Sequence, residues 1–399
     1  MIKYKKYNLI KDLGFIKTGV KEYIGKKKYY STGSIKPNKI NPEGEYSYLK
    51  RPSRANRQSY MNDVFQARMM NTNKAILIKE ELNECLFSTG FFQFRPPQNI
   101  ILPEYLCYYL SSSFFLREKD KLCNGSTQKA INDASLKKFN IYLPEIEEQN
   151  RIIKKIKKIN SQINFLESEV EKQKIKSKLL QESVFINELN TNKYNDKDWQ
   201  NKKFSDLAYT AGRIGWKGLS AKEYVSEGPL FLSVHSLNYG EYVNFKDAFH
   251  ITKKRYEESP EIMLRKDDIL ICKDGAGIGK TGIVQELNSP TTINSSLLLI
   301  RSNGEILPKY LYYYLTSPIF QTIIKNKIEG ATTPHLYQRE VKEMNVSYPS
   351  LEIQKKIILK LDSVIKDSKV INEKSTFLNE NLKKLRFSIF SNEIKIDAA

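Results

Sequence analysis

Two stretches of this chain carry apolar residues in alternating steps of three and four. Downstream of Pro144 they are Ile152, Ile156, Ile159, Ile163, Leu166 and Val170, resuming at Leu180 and Val184; near the other end they are Ile357, Leu361, Val364, Ile371, Leu378, Leu382, Leu385 and Ile389. That spacing predicts two long helices with coiled-coil seams, and about 40 helical residues make a rod on the order of 60 Å long. Gln173, Ser177, Ser368 and Ser375 interrupt the apolar seam. Polar residues there fix register, admit a partner helix, or are plain imperfection. The regions ahead of the rods read differently. They hold short β-branched and aromatic runs such as PLFLSV, DDILICK, KTGIV and SSLLLIR, cut by Gly, Pro and Asn, the signature of strands and turns. Segments from Pro103 to Phe115 and from Pro308 to Phe320 are expected to be amphipathic helices, and ELNTNKYNDKDWQNKK, around Asn190 to Lys203, a polar linker.

An internal repeat organises these elements. ILPEYLCYYLSSSFF from Ile101 recurs as ILPKYLYYYLTSPIF from Ile306, an offset of 205 residues. The same offset carries Gly125 onto Gly330, Thr127 onto Thr332, Asn140 onto Asn345, Pro144 onto Pro349, Gln149 onto Gln354 and Phe185 onto Phe390. Upstream the match thins to spots such as Asp63-Val64-Phe65 against Asp268-Ile269-Leu270. The expected class is therefore α+β. Residues 1–144 form a first domain, 145–190 a long helix, 191–349 a linker and second domain, and 350–399 a second long helix.

Charge narrows the partner. The 65 Lys and Arg against 45 Asp and Glu leave a formal +20, which favours a polyanion, nucleic acid first, although a Lys-rich composition also follows from an A/T-biased genome. The surplus is local: up to Arg57 there are fifteen basic and four acidic residues, a net +11. These bases are interleaved with aromatics and glycines in KEYIGKKKYYSTGSIK and YLKRPSRANRQSY, a mixture suited to phosphate contacts and base-edge readout. Candidate nucleic-acid contacts in the first half are Lys26, Lys27, Lys28, Tyr29, Tyr30, Lys50, Arg51, Arg54, Arg57 and Gln128. In the second half they are Arg213, Trp216, Lys217, His235, Lys273 and Lys280. Candidate helix and subunit interface positions are Ile152, Ile156, Ile159, Ile163, Leu166, Ile357, Leu361, Val364, Leu378 and Leu382.

Several chemistries find no support. Cys85, Cys107, Cys123 and Cys272 have neither paired nor ligand-like spacing, so a disulfide framework and a zinc site are not expected, and a reducing cytoplasm fits. No stretch has the apolar length of a membrane span, and MIKYKKYNLIKDLGF lacks a signal-peptide core. DGAGIGKTG, from Asp274 to Gly282, imitates a Walker A loop, but Asp274 stands where its first Gly belongs and a strand-like run follows. RPPQ at Arg95 to Gln98 lacks the amide and aromatic of a base-methylation motif. DDILICK only loosely resembles a nuclease carboxylate cluster, and His235, His250 and His335 are not spaced as metal ligands. Neither a cofactor nor a metal is expected, and the chain is read as lacking catalysis of its own.

The repeat, the rods and the basic domains together resemble the specificity subunit of type I restriction-modification systems. The resemblance covers nearly the whole chain. Its motifs are the entry to each rod, LPEIEEQNRI at Leu143 to Ile152 and the weaker YPSLEIQKKI at Tyr348 to Ile357, the loop GSTQKAIND at Gly125 to Asp133, and DILICKDGAGIGKTGIV at Asp268 to Val284. The second copy departs from the pattern at Tyr348 and in GATTPHLYQ. The resemblance implies two target recognition domains that each read part of a split site in double-stranded DNA. It also implies helices that space them and dock methyltransferase subunits, two of them, with restriction and translocase subunits in the full complex. Antiparallel packing of matched rods would relate the domains by a pseudo-twofold axis, as the halves of a duplex site are related. The alternatives at this point are the specificity module of a stand-alone or type IIG-like methylation system, a coiled-coil scaffold without DNA readout, and an enzyme whose site goes unrecognised.

Overall fold

The computed structural model describes residues 4–36, 39–125, 129–190, 199–213, 219–329 and 334–393, the side chains of Phe387 and of 390–393 excepted. Gln128, Trp216 and Lys217 therefore lie outside the described residues, as does the side chain of Phe390. By packing, the chain divides into two compact units. One holds the residues up to Glu171 together with those from Ser375 onward, the other Lys172–Lys374. Each rod, Ile146–Glu188 and Leu351–Glu393, contributes a segment to each unit.

Both units use the same strand order, including the region where the sequences have diverged. In the first unit Phe15–Ile16, Phe91–Phe94, Val64–Ala67 and Ala75–Leu77 form one antiparallel sheet in that order. In the second, Ala208–Gly212, Leu297–Ser302, Ile269–Cys272 and Thr281–Ile283 do the same. Each unit has a second sheet with a parallel pair, four-stranded in the first and three-stranded in the second, Lys27–Tyr30 with Leu86–Ser88 and Val225–Leu232 with Thr291–Ile293. DDILICK, KTGIV and SSLLLIR are the strands expected of them, and all four residues of Ile269–Cys272 are buried, as a central strand covered on both faces requires.

A repeated turn anchors the central strand of each antiparallel sheet. Asn62 and Asp267 both adopt φ +67°, and each precedes a fully buried aspartate. Asn and Asp tolerate this left-handed conformation better than most residues, so the turn can aim the following carboxylate inward. Asp63 accepts from Tyr60 N (3.0 Å) and from Arg95 Nε and Nη2 (2.8 and 3.0 Å). Asp268 accepts from Arg265 N (2.6 Å) and from Arg301 Nε and Nη2 (2.6 and 2.7 Å). These carboxylates are structural clamps, which removes the nuclease-like look of DDILICK.

Two expectations need correction. The segments expected as single helices each break in two, Pro103–Ser111 then Ser113–Lys121, and Pro308–Thr316 then Pro318–Ile328. The cause is a buried serine at each break: Ser112 Oγ accepts from Phe115 N (3.2 Å) and Ser317 Oγ from Phe320 N (3.3 Å), capping the second helix. The polar linker is also shorter than expected. Trp199–Lys203 pairs antiparallel with Asn345–Pro349, just as Lys5–Asn8 pairs with Asn140–Leu143. No helix among the described residues is long and apolar enough to cross a membrane.

Candidate nucleic-acid interface

The rods are positioned first, since they carry the scaffold. Each begins immediately after the last strand of its domain, and the glutamine of the entry motif fastens the junction. Gln149, fully buried, accepts from Leu102 N (2.9 Å) and donates to Pro144 O (2.9 Å) and Ile100 O (3.0 Å). Gln354 repeats this with Leu307 N (2.7 Å), Pro349 O (2.8 Å) and Glu305 O (3.3 Å). A side-chain amide supplies both a donor and an acceptor, which apolar or charged residues of that size cannot.

Ile152 and Ile156 join the core of the first unit with Leu382, and Ile163 lies there too. Ile357 and Leu361 join the core of the second. Ile159 and Val364 are half-buried. Leu166 and Leu378, however, are exposed, and so are Leu180, Ile371 and Leu385. Burial along the first rod instead recurs at Ile156, Ile163, Val170 and Ser177, with Asn160, Glu167, Lys174 and Gln181 half-buried between them. After each buried position a helix offers two flanking candidates, three and four residues on, about 100° apart. The apolar pattern selects the first and the folded chain uses the second, because docking through Gln149, Ile152, Ile153 and Ile156 sets the rotation of the helix. Ser177, Ser368 and Ser375 are buried, whereas Gln173 is exposed. Within the first unit Arg386 Nη2 reaches Asn164 Oδ1 (2.7 Å) and Glu167 Oε2 (2.9 Å). Within the second, Ser177 Oγ donates to Ser368 Oγ (3.1 Å), and Lys360 meets Glu188 (2.5 Å). Partner numbers fall along the second rod as they rise along the first, so the segments run antiparallel.

Of the basic candidates in the first unit, Lys26, Lys28, Lys50 and Arg54 are exposed. Lys27 lies over the Tyr23 ring at 5.2 Å and is 3.5 Å from Glu84. Arg51 stacks on Tyr48, 4.0 Å from the ring centroid. Tyr29, Tyr30 and Arg57 are not at a surface. The strand Lys27–Tyr30 is covered on both faces, Tyr29 packing with Val20, Ala55 and Leu86, and Tyr30 with Phe65 and Phe87. Arg57 is 1% exposed. Its Nη1 donates to Ile16 O (2.9 Å) while Nε and Nη2 have no partner among the described residues. Desolvation, and then the nearby Arg68, lower its pKa to about 10.

Arg213 is likewise buried. It donates to Ile293 O (3.1 Å), Ser259 Oγ (3.3 Å) and Thr292 Oγ1 (3.5 Å), and burial lowers its pKa. Nearby, three loops of the second unit converge. His235 is exposed on the turn Val234–Leu237, and Lys280 donates to Asn238 Oδ1 (2.8 Å) at the end of that turn. Lys273, half-buried, offers its carbonyl to Leu336 N (2.9 Å), and next to it Asp274 bonds His335, whose ring lies 4.3 Å from Tyr337. The first unit repeats the crossing with Arg68, whose carbonyl accepts from Ile131 N (3.0 Å) and whose guanidinium meets Asp133 (2.6 Å). The Walker-like string is a short turn, Gly275–Gly277, leading into the strand Thr281–Ile283, with no helix to receive a phosphate. Asn238, Asp274, His335 and Tyr337 are additions that no linear pattern marks, since their loops are far apart in sequence.

The family model of the type I restriction modification DNA specificity domain matches residues 15–177 and again residues 196–380. The chain belongs to this family. It carries two copies of the DNA specificity domain. Among its relatives, the type I restriction enzyme MjaIX specificity subunit of Methanocaldococcus jannaschii is 29% identical over 197 residues, 49% of this chain and 44% of that protein. The EcoBI specificity subunit of Escherichia coli is 25% identical over 170 residues, 42% of this chain and 35% of that one. The chain thus matches less than half the length of these two curated relatives. Two solved structures share the fold across the whole chain. One, from work on complex assembly and conformational transition of a type I restriction-modification system, has a TM-score of 0.80 at 17% identity and covers 100% of this chain and 99% of that one. The HsdS subunit from Thermoanaerobacter tengcongensis has a TM-score of 0.62 at 18% identity, covering 99% and 97%.

Proposed function

We propose that each recognition domain of this subunit reads one part of a split, asymmetric site in double-stranded DNA, and that the chain itself catalyses nothing. The observation carrying this reading is the pairing of one scaffold with two different loop sets. The strand order, the aspartate clamp, the glutamine lock and the loop crossing at Arg68 and Lys273 recur in both units, while the loops beside them do not. A repeated scaffold with divergent loops fits two readers of different sequence, and the basic surplus supplies the phosphate attraction. The DNA-facing groups are assigned to Lys26, Lys28, Lys50, Arg51 and Arg54 in the first domain, and to His235, Lys273 and Lys280 in the second. Gln128, Trp216 and Lys217 keep that assignment from their sequence context alone.

The subunit is read as working in the cytoplasm with methyltransferase subunits, two of them, and with restriction and translocase subunits in the full complex. The rods support the first of these partnerships. Phe165 and Leu166 in one unit, and Leu179, Leu180 and Ile371 in the other, leave large apolar side chains exposed, and exposed apolar surface of this kind marks protein contact.

Replacing residues 1–144 by the first domain of a related subunit, and mapping methylated sites in cells, tests the reading. One half of the methylated sequence is expected to change and the other to persist. A change in both halves, or in neither, refutes the two-reader assignment. The purified chain alone, supplied with DNA and S-adenosylmethionine or ATP, is expected to show no methylation or cleavage.

A further inference from the structure

A groove of about 760 Å³ in the first unit lies between the hairpin strands Ile35–Lys36 and Lys39–Ile40 and the strand Ala75–Leu77. Lys36, Lys39, Lys74 and Lys79 line it together with apolar residues and Asn73, and no carboxylate does. Lys74 is held in place by donating to Thr32 O (2.6 Å). Lys36, Lys39 and Lys79 are exposed and make no ion pair among the described residues. The hairpin register sets Lys36 directly opposite Lys39. Like charges facing one another across a strand pair destabilise it, so an anion bound between them would relieve the hairpin. A groove of about 840 Å³ in the second unit shows the contrast. There Lys266 is paired with Glu286, and Lys309 with Glu241.

We infer that this groove is a track for the phosphodiester backbone of DNA, with Lys36, Lys39 and Lys79 each neutralising a phosphate and Lys74 shaping its floor. The inference rests on the DNA-reading role proposed above. It adds a sequence-independent contact to the first domain, separate from the loops that choose bases. A lysine ammonium is a point charge that suits phosphate oxygens without selecting among bases.

The test is the salt dependence of binding by the full-length chain to a fluorescent DNA duplex, one carrying the methylated site and one scrambled. The triple variant Lys36→Gln, Lys39→Gln, Lys79→Gln removes three charges. The slope of log K against log salt is expected to become shallower by about 2 to 3, at about 0.9 per phosphate. Both duplexes should lose affinity alike. Lys36→Arg, Lys39→Arg, Lys79→Arg should restore the slope, which guards against a folding defect. Lys202→Gln, Lys203→Gln, Lys266→Gln lowers net charge equally at lysines already paired with glutamates and should leave the slope unchanged. An unchanged slope in the groove variant, or an equal fall in the control, overturns the groove assignment while DNA reading stands. A wild-type chain without salt-dependent affinity for either duplex overturns both.

Discussion

Replacing Gln149 by Leu keeps the side chain's approximate size and removes all of its hydrogen bonding. Three bonds are lost, to Leu102 N, Pro144 O and Ile100 O, at a side chain with no exposed surface. Each ordinary bond contributes about 1 kcal/mol net, and a buried group left unsatisfied costs about 1 to 3 kcal/mol. Pro144 is buried, so its carbonyl bears most of that cost, whereas Leu102 and Ile100 are partly exposed and can regain water. Burial of the leucine offsets part of the loss. The expected net destabilisation is about 3 kcal/mol, which lowers the transition of a unit of this size by about 6 to 12 °C. Calorimetry should show that drop in one transition for Gln149→Leu, and in the other for Gln354→Leu, because Gln354 makes the corresponding bonds in the second unit. The double variant should lower both transitions nearly additively. A shift under about 2 °C for both single variants would refute the view that the amide locks each rod to its domain.

Four further outcomes are expected. Arg57→Met removes a buried guanidinium with two nitrogens unpartnered among the described residues, so stability should hold or rise by about 1 kcal/mol; Arg213→Met, which loses the bonds to Ile293, Ser259 and Thr292, should lower it by about 2 kcal/mol, both read by chemical denaturation. Asp63→Ala should cost about 2 to 3 kcal/mol, chiefly through the orphaned Tyr60 N–H and the one Gln93 amide N–H that does not donate to Gln58 O, since Arg95 is 48% exposed and can rehydrate. Ile156→Lys, placing a cation in the first core, should melt that unit by several kcal/mol and weaken co-purification with methyltransferase subunits, whereas Leu166→Lys should leave melting within about 0.5 kcal/mol. The thiols should react with an alkylating reagent at mildly alkaline pH only after unfolding: Cys85, Cys123 and Cys272 are buried, and burial pushes the Cys107 thiol up to about 12.

The repeat, the two rods, the α+β class and the family were legible along the chain, because each is a local or periodic signal. An offset of 205 residues aligns motifs without any knowledge of contacts, and apolar residues recurring every three to four positions identify a helix whatever it packs against. Facing is another matter. Leu166 and Glu167 are neighbours on the rod, and the apolar pattern chose the leucine, yet Leu166 is exposed and Glu167 meets Arg386. That choice is made by the rotation of the helix, which the glutamine lock and the isoleucines beside it impose from the domain. Charge suffered a similar fate. Basic and aromatic residues clustered before Arg57 all looked like surface, but a strand covered on both faces buries Tyr29 and Tyr30, and Arg57 sits beneath its neighbours. The convergence of His235, Asn238, Lys280, Asp274 and His335 joins three segments up to about a hundred residues apart. Composition and spacing hold no record of such pairings, since it is the sheet register that brings those loops together.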